Sequence, residues 1–82
     1  MDKKQIVKLG RSAYCNKNEL EKTDICGCFY CKNIFYAVDI TEWTDEGQTA
    51  LCPYCGVDSV IPNPTEENLK ELHKYYFEEN NS

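Results

Sequence analysis

Cys28-Phe29-Tyr30-Cys31 and Cys52-Pro53-Tyr54-Cys55-Gly56 form two C-x-x-C pairs with 20 residues between them. A gap of two residues lets one tight turn aim two sulfurs at a single ion. Two such turns supply the four thiolates of a tetrahedral zinc shell. Backbone N–H groups in each turn can donate to the sulfurs and offset part of their charge. Pro53 stiffens the second turn, and Gly56 removes a Cβ where the chain must double back. Four protein sulfurs leave no open position for a catalytic water, so the expected metal is one structural Zn(2+) per chain, held by Cys28, Cys31, Cys52 and Cys55. The competing readings are a redox dithiol and four thiols packed as small apolar groups. Two pairs in one short chain argue against both.

Two further cysteines stand near this pattern. Cys26 lies two residues before Cys28, so C-x-C-x-x-C brings three thiols to one ion, and the two-residue gap favours Cys28 as the ligand. Cys15 stands apart beside Tyr14. A redox pair that releases the metal on oxidation is the functional reading of Cys15 and Cys26. A packed Cys26 and a partly exposed Cys15 is the plainer one. His73 is the single histidine. It reads as a partly buried ring bonded to a backbone carbonyl, with a pocket-edge recognition residue or an alternative zinc ligand as the functional options. No serine, acid and histidine set stands out around it. Among the ten aromatic residues, Phe35, Trp43, Tyr76 and Phe77 are expected in the core, and Tyr30, Tyr54 and Tyr75 at the surface near the knuckles. Exposed tyrosines suit a partner surface or base stacking.

The elements that must position these groups come from an 82-residue chain with 14 acidic and 9 basic residues. A chain of this length is one domain with a thin core, and such scaffolds usually need a metal, disulfides or oligomerisation. No apolar run reaches the ~18 residues of a spanning helix, so no membrane is expected. Met1-Asp2-Lys3-Lys4 leads into no export-signal stretch. The expected compartment is therefore the reducing cytoplasm, where thiols serve metals more often than disulfides.

The charge is unevenly spread. Residues 1–11 carry Lys3, Lys4, Lys8 and Arg11 against Asp2, a net of +3. Residues 12–82 hold 13 acidic and 5 basic residues, a net of −8. A zinc bound by four thiolates adds −2 more. The body is a poor match for a phosphate backbone, and only the N-terminal arm could approach nucleic acid or an acidic partner. The plain reading of that arm is a frayed, solvated terminus.

The expected organisation is a basic N-terminal arm over 1–15, a zinc ribbon with short helices over 16–64, and a C-terminal helix over 65–80. Gln5–Leu9 alternates weakly and suits a short strand or helix. Asn16 with Glu19 reads as a capping box opening a helix over Lys17–Thr23. Lys32–Val38 is rich in β-branched and aromatic residues, a strand signal. Asp39 with Glu42 reads as a second capping box, with a helix through Trp43 that Gly47 closes. Thr49–Leu51 and Val57–Ile61 are expected to pair as a β-hairpin whose turn is the second knuckle, and Pro62-Asn63-Pro64 breaks the sheet. Thr65 caps the last helix, with Glu66 and Glu67 in its first turn. Leu69, Leu72, His73, Tyr76 and Phe77 fall on one apolar helical face, which packs back on the ribbon. The fold class is thus a small α+β zinc ribbon, with two hairpin knuckles around one ion, short helices and a packed C-terminal amphipathic helix.

The run Cys26-Gly27-Cys28-Phe29-Tyr30-Cys31, then Glu42-Trp43, Asp45, Gly47 and Thr49-Ala50-Leu51-Cys52-Pro53-Tyr54-Cys55-Gly56-Val57-Asp58-Ser59-Val60-Ile61, resembles a group of small, uncharacterised bacterial proteins commonly labelled cytoplasmic. Their pattern reads CGCFYC, then EWxDxGxTALCPYCGIDSVI, followed by a helix like that from Leu69 to Phe77. The resemblance covers about residues 16–77. This chain departs from the pattern at Val57, where the group usually has isoleucine, and in a shortened connection between Ile61 and the last helix. The resemblance implies a zinc ribbon with a C-terminal helix in the cytoplasm, and it brings no activity. Within it, Trp43 reads as a core anchor, while Asp58 and Ser59 read as a turn or as part of a binding surface.

These observations favour a small zinc-stabilised interaction protein that engages a basic protein partner through its acidic surface. Charge of that sign would speed capture of such a partner. The alternative is a nucleic-acid-binding zinc ribbon that uses the basic arm. An enzyme or thiol redox switch comes last, because no acid, base and nucleophile set is present beside a closed metal shell.

Overall fold

The computed structural model describes residues 2–78. The expected frayed arm is instead a docked helix, α1 (Lys3–Arg11). Asp2 caps it: its Oδ1 accepts the Gln5 N–H at 2.9 Å, and Gln5 Oε1 accepts the Asp2 N–H at 3.3 Å. That reciprocal pair satisfies two donors that a helix start otherwise leaves open. Ile6 is buried on the inner face, and Leu9 packs beside it.

The second helix, α2 (Lys17–Glu21), is a single short turn or so. Asn16 precedes it but makes no side-chain cap bond. Its Nδ2 donates to Ser12 O at 3.0 Å and to Val60 O at 2.7 Å, and its Oδ1 accepts the Ala50 N–H at 3.2 Å. The expected capping box fails because buried backbone groups of two strands compete for the same amide. A buried amide that meets two such groups, and Ser12 O besides, is worth more than one exposed cap bond.

Strands β1 (Ile25–Cys28), β2 (Ile34–Tyr36) and β5 (Val60–Pro62) form one antiparallel sheet in the order β2-β1-β5. Cys26 faces Phe35 on one side and Pro62 on the other. Strands β3 (Trp43–Thr44) and β4 (Thr49–Ala50) form a separate two-stranded hairpin. Two expectations are corrected here. The Asp39–Glu42 helix does not form: Ala37–Asp39 is a single 3-10 turn, and Trp43 pairs with Ala50 as a strand. A helix of so few residues has little stability of its own, and the extended path sinks Ile40 and Trp43 against the core. The hairpin between Thr49–Leu51 and Val57–Ile61 does not form either. β4 is already paired to β3, Leu51 N–H continues that ladder to Glu42 O at 3.0 Å, and β5 pairs with β1. The chain diverges after the knuckle because Ser59 O is taken by the Phe29 N–H at 3.0 Å.

The last helix, α3 (Glu66–His73), starts at Thr65, whose Oγ1 accepts the Asn68 N–H at 3.0 Å while Asn68 Oδ1 accepts the Thr65 N–H at 3.0 Å. A π turn over Lys74–Glu78 follows it. An eight-residue helix is too short to persist alone. Leu69 and Leu72, fully buried, hold it in place, at roughly 1.5–3 kcal/mol each.

The β2-β1-β5 sheet separates two cores. On one face lie Leu20, Cys26, Cys28, Phe35, Ala50, Cys52 and Val60. On the other lie Ile6, Ala13, Phe29, Ile61, Leu69 and Leu72. Strand alternation explains the division: Cys26 and Cys28 point one way, Gly27 and Phe29 the other, and Val60 and Ile61 split likewise. A Cβ on Gly27 would sit 2.6 Å from Pro64 Cγ and 3.2 Å from Leu69 Cδ1, so only glycine lets α3 approach β1 this closely.

Candidate metal centre

The two knuckles are built alike, bond for bond. In the first, Lys32 N–H donates to Cys28 O at 2.7 Å and Cys28 N–H donates to Asn33 O at 3.0 Å. In the second, Gly56 N–H donates to Cys52 O at 2.9 Å and Cys52 N–H donates to Val57 O at 3.0 Å. The fifth residue of each turn is left-handed: Lys32 has φ 62° and Gly56 has φ 78°. Glycine takes that conformation without cost, whereas a lysine pays a steric penalty for it. The second knuckle thus carries the residue the turn requires, and the first adopts the same turn with a less suited one.

This geometry brings four sulfurs together. Cys28, Cys31, Cys52 and Cys55 place their Sγ atoms within 4.8 Å of one another. Cys28 Sγ lies 3.6 Å from Cys55 Sγ, and Cys31 Sγ lies 3.6 Å from Cys52 Sγ. Zinc–sulfur bonds of about 2.3 Å in a tetrahedron require sulfurs about 3.8 Å apart. The two closest edges fall near that value, so the donor set fits a four-thiolate metal ion in both chemistry and spacing.

The surroundings prepare the sulfurs for negative charge. Tyr54 N–H donates to Cys52 Sγ at 3.3 Å, and Asn33 Nδ2 donates to Cys31 Sγ at 3.4 Å. The N–H groups of Tyr30 and Cys31 serve Cys28 as those of Tyr54 and Cys55 serve Cys52. Without an ion these thiols differ. Burial pushes Cys28 and Cys52 above the ordinary thiol value despite those bonds. Burial also pushes on Cys31, but the bonds from Asn33 and the neighbouring thiols outweigh it and leave Cys31 low. Cys28 and Cys52 are buried and Cys55 is exposed, so the cluster sits at the rim of the first core with one sulfur-bearing residue reachable from solvent.

The other singled-out residues fall outside the cluster. Cys26 is fully buried in the first core, and burial raises its thiol to about 11. It packs as a small apolar group and does not replace Cys28. Cys15 is exposed, and its N–H donates to Thr49 Oγ1 at 2.9 Å. His73 is no part of the sulfur cluster. Its Nδ1 lies 3.1 Å from Phe29 O, and because a carbonyl only accepts, Nδ1 carries the proton. Its Nε2 lies 3.6 Å from Glu78 Oε2. His73 thereby ties α3 to the first knuckle. Tyr30 adds to that tie with an edge-on contact to Phe77, ring centroids 4.9 Å apart.

Among the aromatic residues, Phe35 is buried and Trp43 is half-buried against the first core. Tyr76 and Phe77 are half-buried and pack against Phe29. Tyr30 and Tyr54 are exposed as expected, whereas Tyr75 is half-buried and packs against the second core. Ser59 is buried and Asp58 exposed. Sequence reasoning missed Lys32, Asn33 and Gly27. The first two have a signal in the sequence, since they stand after Cys28 as Gly56 and Val57 stand after Cys52.

No helix among the described residues is long and apolar enough to cross a membrane. Comparison of the chain with family models, with curated proteins and with solved structures found no match.

Proposed function

We propose that this chain is a small binding module folded around one structural zinc ion, held by Cys28, Cys31, Cys52 and Cys55. The observation that carries the reading is the set of four sulfurs within 4.8 Å, with its closest edges at 3.6 Å. Zinc suits four soft thiolates in a tetrahedron better than the hard cations do. Four thiolates complete its shell, so the ion's contribution is to stability, and we assign the chain no catalytic role. The expected setting is the reducing cytoplasm, where such thiols stay available to the metal.

The partner we propose is a basic protein. The net of −8 over residues 12–82, with −2 more from the loaded centre, supports that choice. The resemblance to small cytoplasmic bacterial proteins agrees with a zinc ribbon and names no partner. Native mass spectrometry of freshly purified protein is expected to show one zinc per chain, and a metal-free spectrum would refute the metal assignment. Affinity capture with the zinc-loaded chain is expected to recover a protein of high isoelectric point whose association slows with salt. Salt-independent capture of an acidic protein would refute the choice of partner.

A further inference from the structure

The docking of α1 separates its two faces. Ile6 and Leu9 enter the second core, while Lys3, Lys4, Lys8 and Arg11 are all exposed. At 100° per residue these four cations share an arc of about 140° and a length of about 12 Å. Among the described residues none of them is paired with a carboxylate; the one contact of that kind there is His73 Nε2 with Glu78 Oε2 at 3.6 Å. Lys3, Lys4, Val7, Lys8 and Arg11 line a shallow groove on this face.

A second groove of about 400 Å³ continues from it through Arg11. Its lining includes Tyr14, Tyr76 and Phe77 with the buried Phe29 beneath them, and the exposed carboxylate of Asp58 at the end away from α1's first turns. Tyr14 is 66% exposed, and no ring of another described residue stacks on it. A row of unpaired cations that runs into an aromatic groove is the arrangement that holds a nucleic-acid backbone beside its unstacked bases. A lipid surface does not fit, because the apolar face of α1 is already buried. A duplex hides its bases and makes no use of the aromatic groove.

We propose that the basic face of α1 and the groove beyond Arg11 bind single-stranded nucleic acid, with Lys3, Lys4, Lys8 and Arg11 on phosphates and Tyr14 stacked on a base. The proposal does not rest on the protein partner proposed above. The net negative charge of the chain does not prevent this. The Debye length is about 10 Å at 0.1 M salt, so carboxylates farther than that from the site are largely screened, and the near ones, Asp2 and Asp58, stand against four cations.

Fluorescence polarisation with the zinc-loaded full chain tests the site, using dye-labelled mixed-sequence single-stranded RNA, single-stranded DNA and duplex DNA as probes. Single strands are expected to bind at low salt, with log K falling against log salt at a slope of about −2 to −3 for four phosphate contacts. Whichever of RNA or DNA binds more tightly identifies the source. The combined Lys4→Ala, Lys8→Ala, Arg11→Ala variant is expected to bind at least 10-fold more weakly with a flatter slope. Tyr14→Ala is expected to lose about 5- to 150-fold. Lys17→Ala with Lys22→Ala, around α2, is expected to bind as the parent does, and unchanged zinc content and circular dichroism verify each fold. Absence of binding by all three probes, an unaffected triple variant, or equal loss in the α2 variant overturns the proposal. Duplex bound as tightly as single strands, with Tyr14→Ala unaffected, overturns the single-strand assignment.

Discussion

Removal of the metal is expected to unfold the whole chain and not the ribbon alone. Structural zinc contributes an apparent ~10–16 kcal/mol in small domains at neutral pH. At about 0.05–0.15 kcal/mol per residue, a chain of this length has a net stability of only about 4–12 kcal/mol. The metal contribution is therefore as large as the whole, and no partial loss is expected to suffice. The route of the collapse follows from the packing. Cys28 and Cys52, 0% and 3% exposed, belong to the same core as Phe35, Ala50 and Val60. The second core holds no ligand, yet Phe29 from the first knuckle and Ile61 from β5 are two of its members. Losing the knuckles thus opens both faces of the sheet. Trp43, the single tryptophan, packs on the metal-side core and reports on it by fluorescence. Addition of a strong chelator is expected to shift Trp43 emission to the red and to collapse amide dispersion on both sides of the sheet. Both signals are expected to return with one equivalent of zinc. Because each ligand must lose its proton, metal affinity falls as pH falls, and the transition is expected to need less chelator in mild acid. Native dispersion that persists in protein shown to be metal-free by elemental analysis would refute the reasoning.

Four further outcomes follow from single residues. Asn16→Ala should cost about 2–6 kcal/mol in denaturant melts of the zinc-loaded protein, since it strands the buried Val60 O and Ala50 N–H, each at about 1–3 kcal/mol; a loss under 0.5 kcal/mol would count against the brace. Gly27→Ala should destabilise by more than 1 kcal/mol, because its Cβ would press on Pro64 at 2.6 Å, and an unchanged melt would mean that α3 yields freely. Lys32→Gly should raise stability by up to about 1 kcal/mol and Gly56→Ala should lower it by a similar amount, a mirrored pair that equal signs would disprove. In the zinc-loaded protein Cys15 should alkylate readily while Cys26 stays unmodified through pH 9, its thiol being held neutral up to about 11, and mass mapping of the labelled cysteines checks this.

The clustering of Cys28, Cys31, Cys52 and Cys55 was legible because its geometry is local. A C-x-x-C turn is closed by bonds within six residues, so the spacing in the sequence is the spacing in the fold. The last helix was legible for a similar reason: its cap and apolar face need no distant partner to be read. What was misread depends on contacts far along the chain. Asn16 has the composition of an N-cap, but its acceptors and donors come from β4 and β5. Thr49–Leu51 and Val57–Ile61 look like the arms of a hairpin, yet β3 and β1 claim them. Asp39 and Glu42 match a capping box that the burial of Ile40 and the pairing of Trp43 override. Gly27 is silent in the sequence because the body that needs its missing Cβ, α3, lies some 40 residues away. At α1 the Asp2–Gln5 capping box was present in the sequence. The dominant charge of the segment pointed instead to a solvated arm.

The alternation along Cys26-Gly27-Cys28-Phe29 also decides how the two halves of the molecule depend on each other. Its even positions face the metal-side core and its odd positions face α3, so one strand carries ligand geometry to one side and helix packing to the other. Neither core is large enough to hold the chain alone, and an ion bound as proposed would reinforce only the first. The helices of the second core therefore draw their stability through β1, through Phe29, and through the His73 bond to Phe29 O. With the metal bound as proposed, any ligand of the α1 face would bind a surface that exists only while the metal is in place. Linkage makes this reciprocal: binding at α1 must tighten the hold on zinc by the same factor by which zinc tightens binding at α1. In a chain of this size a metal held by the four cysteines and a helix on the opposite side of the sheet would form one thermodynamic unit, although none of the four lies on that helix.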